Sequence, residues 1–251
     1  MAEFTSYEPG TPCWVELGSS DIKATVGFYA ELFGWRAEDQ GPEAGNYHVA
    51  TVNGKRVCGI SPLMMEGQPT VWSTYISVEN ADKTTELAAA AGATVLVPPM
   101  DVMSLGRMAV FLDSTGSAIS VWQPIDMAGA ELANEPGAFA WNELDTRDVE
   151  GAKAFYNATF GWTAVGAGEP EYFEWKNGDK TVGGMMPMPA QVPAGVPNNW
   201  LVYFAVDDCD ASTAKVQNLG GTVLVEPMTI PAGRFSAVAG LMQEPFGIIR
   251  L

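Results

Sequence analysis

Histidine is nearly absent from this chain. A single one, His48, occurs among 251 residues, so imidazole cannot ligate metal at two separate sites, and a Ser–His–Asp relay is excluded in practice. Cysteine is scarce too. Cys13, Cys58 and Cys209 form no C-x-x-C pair, and their odd number favours buried, reduced thiols over a disulfide framework. Basic residues are few, 13 against 30 acidic ones, for a net charge of −17. That balance repels nucleic acid and anionic membrane surfaces, so neither is expected as a partner. No apolar run is long enough to span a bilayer, which takes about 18 residues. The start, Met-Ala-Glu-Phe-Thr-Ser, lacks the basic and apolar regions of a secretion signal, and the chain reads as cytoplasmic. No glycine-rich phosphate loop of P-loop or dinucleotide type is found. With 47% apolar and 17% charged residues, the composition is that of a folded globular protein.

What is present is a chain written twice. Trp14-Val15-Glu16-Leu17 leads through Asp21 to Phe28-Tyr29 and Phe33-Gly34-Trp35. Trp141-Asn142-Glu143-Leu144 leads through Asp148 to Phe155-Tyr156 and Phe160-Gly161-Trp162, and nine of the 22 aligned positions are identical. A second block repeats in the same way. Trp72, Tyr75, Val78, Asp82, Gly92 and Thr94-Val95-Leu96-Val97 answer to Trp200, Tyr203, Val206, Asp210, Gly220 and Thr222-Val223-Leu224-Val225. Solenoid units are 20–50 residues long, so this longer period marks a duplicated domain. The expected division is a first domain over 8–126, a linker over 127–137 and a second domain over 138–251.

Each half follows one grammar. A strand over 12–18 runs into Ser20-Asp21, a helix cap, followed by a stripe of Ile22, Val26, Tyr29 and Phe33. Gly34 then stops the helix. Strands are expected over 46–52 and 56–61 around the Asn53-Gly54 hairpin. The unit restarts with a strand over 72–78, a helix from Asn80 to Ala91, and strands at 94–97, 107–112 and 117–122. The second half repeats this with strands at 139–144, 200–206, 222–225, 234–240 and 247–251, helices at 148–160 and 210–219, and a hairpin at Asn177-Gly178. The fold class is therefore α+β, with four tandem βαβββ modules, two to each half. Pro187 to Asn199 carries four prolines and no periodicity, and reads as a loop.

Four such modules carrying D-x6-F-Y-x3-F-G-W resemble the vicinal oxygen chelate superfamily, the glyoxalase, bleomycin-resistance and dioxygenase group. Asp113-Ser114-Thr115-Gly116, answered by Glu244-Pro245-Phe246-Gly247, is similar to that family's turn before its last strand. With Gly106-Arg107 and Gly233-Arg234, the chain is more narrowly similar to actinobacterial two-domain glyoxalase-like proteins often labelled hydroxylases. The resemblance implies that paired modules form a cup, and that His, Gln or Glu on its inner strands would hold a divalent metal. The corresponding positions are Trp14, Ser73 and Ser120 in the first half and Trp141, Leu201 and Leu251 in the second. None is a ligand for such an ion. Glu16 and Glu143 share a strand face with Trp14 and Trp141, but one carboxylate per cup is too few, so no metal or other cofactor is expected.

Strand alternation predicts a cup lined by Trp14, Glu16, Ser73, Tyr75, Ala118, Ser120 and Trp122 in the first half. In the second it predicts Trp141, Glu143, Leu201, Tyr203, Ile249 and Leu251. Methionines 64, 65, 100, 103, 108, 185, 186, 188 and 228 add adaptable thioethers near these strands. Two roles are open for Glu16 and Glu143. An acid in an apolar cup has a raised pKa and can accept protons or hydrogen bonds. Alternatively each pairs with Arg107 or Arg234 as a buried structural ion pair. The implied function is a metal-free protein binding an apolar or aromatic small molecule, with the first cup the better binder of hydroxyl or carbonyl groups. The rivals are a glyoxalase-like lyase or isomerase, an oxygenase, and a scaffold that binds nothing.

Overall fold

The protein is described by a computed structural model covering residues 3–64, 67–168 and 171–251. Met65, one of the methionines placed near the cup by sequence, lies outside the described residues. The first module comprises β1 (Pro12–Ser19), α1 (Ile22–Phe33), β2 (Arg36–Asp39), β3 (His48–Val52) and β4 (Lys55–Pro62). The second comprises β5 (Val71–Ser77), α2 (Ala81–Ala90), β6 (Thr94–Val102), β7 (Gly106–Leu112) and β8 (Ala118–Pro124). In the other half, β9 (Phe139–Thr146), α3 (Val149–Phe160), β10 (Thr163–Gly168), β11 (Tyr172–Asn177) and β12 (Lys180–Pro187) make the third module. β13 (Asn199–Ala205), α4 (Cys209–Asn218), β14 (Thr222–Ile230), β15 (Gly233–Ala239) and β16 (Pro245–Arg250) make the fourth.

Local chemistry explains the elements. Each helix starts where Asp21, Asn80, Asp148 or Asp208 accepts a backbone N–H three residues on, filling an orphan donor of the first turn. Gly34 and Gly161 end α1 and α3 in the left-handed conformation, with φ of 72° and 74°, which a side chain resists. The strands β2 and β10 were not legible in the sequence. They are short outer strands with mostly exposed side chains, and they carry no alternation because they have no core to face.

The strands form two eight-stranded sheets, ordered β2-β3-β4-β1-β5-β8-β7-β6 and β10-β11-β12-β9-β13-β16-β15-β14. At each centre the first strands of two modules pair antiparallel, as in Trp14 opposite Tyr75 and Glu16 opposite Ser73. The central strands then pair parallel with the last strands of their own modules. Alternation therefore sends Trp14, Glu16, Ser73, Tyr75 and Ser120 to one face of the first sheet, and Val15, Leu17 and Trp72 to the other.

The second of these faces joins the halves. Thr74 Oγ1 on β5 bonds Asn142 Oδ1 on β9 at 2.8 Å, and α1 packs on α4 as α2 packs on α3. One buried cluster runs through both halves, from Phe28, Tyr29 and Trp35 to Val202, Phe204 and Phe246. Trp35 Nε1 donates to Gly137 O at 2.6 Å and Trp162 Nε1 to Gly10 O at 2.9 Å. Each Phe-Gly-Trp thus anchors its indole in the other half, an exchange of equivalent contacts about a pseudo-twofold axis. Residues 126–137 lie against this core, with Met127, Leu132 and Ala133 buried.

Candidate functional site

The outer face of each sheet carries the same hydrogen-bonded constellation. In the first cup, Trp14 Nε1 donates to the Tyr47 hydroxyl at 3.0 Å, and that hydroxyl donates to Glu16 Oε2 at 2.8 Å. Ser61 Oγ reaches Glu16 Oε1 at 3.1 Å, and the Tyr75 hydroxyl reaches Oε2 at 3.4 Å. In the second, Trp141 Nε1 donates to Tyr172 at 3.0 Å and Tyr172 to Glu143 Oε2 at 2.7 Å. Tyr203 then donates to Glu143 Oε1 at 2.8 Å. Each cup therefore encloses a carboxylate in a cage of phenols and an indole.

Two glycines make this cage possible. A Cβ added to Gly59 on β4 would overlap the Tyr47 hydroxyl, and one added to Gly184 on β12 would overlap that of Tyr172. Each tyrosine crosses its neighbouring strand at a point without a side chain, which lets its hydroxyl reach the Glu. Tyr47 and Tyr172 were missed by sequence. They stand 125 residues apart (172 − 47), whereas the aligned blocks are offset by 127 and 128, so neither shift superimposes them.

Burial raises the pKa of Glu16 and of Glu143, and the hydroxyl donors around them lower it only in part. The phenols of Tyr75 and Tyr203 are themselves pushed well up, first by burial and then by the neighbouring Glu charge. They remain neutral donors to the carboxylates.

Arg107 and Arg234 do not take the expected place. Arg107 lies on the opposite face of its sheet and pairs with Asp82 at 2.7 Å and Asp101 at 2.8 Å, while Arg234 pairs with Asp210 at 2.5 Å. The ion pair expected between Glu and Arg is absent, because these Arg side chains alternate away from the cup toward the first turns of α2 and α4. Leu251 is also misplaced. The register sets Tyr75 beside Ser120 and Tyr203 beside Gly247, so Gly247 is the counterpart of Ser120. The turns before β8 (113–117) and β16 (240–244) are equal in length, so Glu244-Pro245-Phe246-Gly247 sits four residues later in the register than Asp113-Ser114-Thr115-Gly116, and Leu251 is left 64% exposed beyond the strand.

Trp122 is buried, with its indole N–H on Met127 O at 2.8 Å, so it closes one end of the first cup. In the second half Leu201, Tyr203 and Ile249 form a small cluster of their own with Trp141 and Phe235. The methionines divide differently from expectation. Met185 is in the core, while Met64, Met100, Met103 and Met228 are exposed, the last group lying on loops and outer strands.

A further residue was overlooked altogether. Asp145 follows Glu143 by two on β9 and shares its face, opposite Asn199 and beside Met186. Its counterpart in the first half is Gly18, so the internal repeat carries no signal of it. Burial, then the charge of Glu143, pushes its carboxyl up to about 8.

The metal implied by the superfamily resemblance does not fit these residues. The equivalent positions offer indoles, hydroxyls, leucine and glycine, and each cage carboxylate is already bonded through both oxygens by side-chain hydroxyls. Among the described residues no group of three His, Cys, Asp or Glu could hold an ion. No helix there is long and apolar enough to cross a membrane.

Two cup-forming sheets built from four βαβββ modules define a tandem glyoxalase-fold protein. The family model of the Glyoxalase/Bleomycin resistance protein/Dioxygenase superfamily matches residues 13–121 and again 138–249, and the chain belongs to that superfamily. It is 40% identical over 262 residues to the protein named "Putative glyoxylase CFP32" of Mycobacterium tuberculosis, covering 100% of this chain and 98% of that one. It is 36% identical to the anthracycline biosynthesis protein DnrV of Streptomyces peucetius, over 98% of this chain and 95% of that one. The Mn(II)-bound glyoxalase of Novosphingobium aromaticivorans has the same fold, with a TM-score of 0.68 at 16% identity over 96% of this chain and 82% of that one.

Proposed function

We propose that the protein binds a flat aromatic small molecule in its cups without the help of a metal ion. The observation that carries this is the repeated cage, in which Trp14, Tyr47, Glu16 and Tyr75 are matched by Trp141, Tyr172, Glu143 and Tyr203. Tyr47, Trp141 and Tyr172 keep part of their rings accessible for stacking, over a buried layer of Trp14, Tyr75 and Tyr203, beside a few fixed polar groups for hydroxyl or carbonyl recognition. Burying one aromatic ring against it contributes roughly 2–3 kcal/mol from area. The partly exposed Ser73 adds a polar handle in the first cup where the second has the buried Leu201, which makes the first the better receptor for an oxygen-rich ring system. The similarity to a protein named for anthracycline biosynthesis supports a polycyclic aromatic ligand class.

A titration with a dihydroxyanthraquinone, followed by tryptophan fluorescence and by thermal shift, tests this. Binding quenches the emission and raises the melting midpoint. Trp14→Ala weakens the response more than Trp141→Ala. No binding, or affinity unchanged in both variants, would leave the fused halves as a scaffold.

A second reading, proton-transfer catalysis of lyase or isomerase type, is favoured by the buried Glu143 and Asp145 on one wall of the second cup. Turnover of a carbonyl substrate that is lost in Glu143→Gln would establish it over simple binding.

A further inference from the structure

We propose that the second cup takes a ligand bearing a protonated amine, held by the Asp145 carboxylate beside Glu143 and against the rings of Trp141 and Tyr203. The inference rests on the cups being ligand sites, and it assigns the second one a chemistry of its own.

Glu143 and Asp145 stand on the same face of β9, yet only Glu143 is satisfied. Tyr172 and Tyr203 occupy its two oxygens. Asp145 Oδ1 is fully buried and has no hydrogen-bond partner among the described residues. A buried oxygen in that condition costs free energy that a bound donor can recover. The titratable groups acting on it are Glu143, on its own strand, and the Tyr203 phenol on β13, with the Tyr172 phenol across the cage at Glu143. None is basic.

The neighbouring cations are committed elsewhere. Arg147, two residues on, donates to the carbonyls of Pro193 at 2.9 Å and Val196 at 3.3 Å. Lys176 pairs with Glu174, Lys180 with Glu8, and Lys153 with Glu150. The protein thus supplies two adjacent acids and no counter-charge, so Asp145 holds its proton until about pH 8. An ammonium group would supply that charge and the missing donor together.

The aromatic wall suits the same group, because ring faces attract cations. The first cup has Gly18 in place of Asp145, and therefore serves neutral ligands.

The test compares 2-phenylethylamine with its neutral isostere 2-phenylethanol by calorimetry on the full chain between pH 6 and 9. The amine binds at least about 10-fold more tightly at pH 8, a difference of about 1.4 kcal/mol. Its affinity rises with pH as Asp145 ionises, since an alkylammonium stays charged to about pH 10. Asp145→Asn abolishes the preference, with the affinity for the alcohol measured in each variant as the baseline. Asp145→Gly, which copies the first cup, does the same and guards against a folding defect of the Asn variant.

Equal affinity for the two probes, or a preference that survives both substitutions, overturns the inference. A preference for the alcohol that Asp145→Asn removes also overturns it and makes Asp145 a neutral donor. If the dihydroxyanthraquinone binds but neither phenethyl compound does, only this inference falls. If nothing binds, the proposed function falls with it.

Discussion

The Tyr29 hydroxyl donates to Glu244 Oε1 at 2.9 Å, joining residues 215 positions apart in opposite halves. Tyr156 returns the contact to Asp113 Oδ2 at 2.7 Å. Trp72 donates to Tyr29 at 3.1 Å and Trp200 to Tyr156 at 2.7 Å. The same relay of indole, phenol and carboxylate that lines the cups thus recurs twice between the halves. The fold uses it four times, twice facing outward and twice as a clamp.

Tyr29→Phe removes the central member of one clamp. It leaves Trp72 Nε1 and one Glu244 oxygen short of a partner in a buried setting, at a cost of roughly 1–3 kcal/mol. Tyr156→Phe costs a similar amount. Chemical denaturation should still show a single transition in each variant, because one apolar cluster spans the halves. Two resolved transitions in the wild-type protein would contradict this.

Gly59→Ala forces Tyr47 off its bond to Glu16, since the new methyl occupies the place of the hydroxyl. The Glu16 carboxylate and the Trp14 indole both lose a partner, and about 2 kcal/mol or more of stability goes with them. The variant is also expected to lose most of the fluorescence response to the aromatic probe. Gly34→Ala, strained at a helix end outside the cup, lowers stability but spares the response.

Asp145 makes stability depend on pH. Its carboxyl titrates near 8 when folded and near about 3.9 when unfolded, so the folded state binds more protons between those values. Stability therefore falls as pH rises from about 4 to 8, with no loss below that window and the whole of it above. Asp145→Asn removes its share of this slope, leaving that of Glu16, Glu143 and Glu244, which burial also shifts upward, and its stability relative to wild type climbs across the same range by roughly 1–3 kcal/mol. Unfolding curves at pH 5 and 8.5 with an unchanged difference would refute the assignment.

Purified protein is expected to carry far less than one equivalent of Fe, Mn, Ni or Zn, with a melting midpoint indifferent to a chelator. A near-stoichiometric ion lost on Glu16→Gln or Glu143→Gln would show instead that the cage carboxylates ligate metal.

The duplication, the four modules, the helix caps and the pairing of Trp with Glu on a strand face were all readable from the chain. They are local properties, set by side-chain period, by Asp and Asn at helix starts, and by Gly where φ must be positive. Glu16 and Glu143 could be named as acids in an apolar cup for the same reason, since alternation alone puts them beside Trp14 and Trp141.

Register and loop length were settled only in three dimensions. Counting four residues on from the glycine of Glu244-Pro245-Phe246-Gly247 puts Leu251 in the cup, whereas the sheet register puts Gly247 there and lets Tyr203 lie across it. That Glu16 and Arg107 both recur makes an ion pair one of two readings of the sequence, yet strand alternation puts them on opposite faces of the sheet. Tyr47 reaches Glu16 across β4 only because Gly59 lies beneath it, a contact between elements that no spacing rule encodes. Asp145 has no repeat partner, and only the burial of its oxygen distinguishes it from any other acid in the chain. The sequence determined which local elements form and which faces are apolar, because those depend on neighbours along the chain. Which polar groups meet was decided by sheet register and by the packing of one half on the other, because those contacts join residues far apart in sequence.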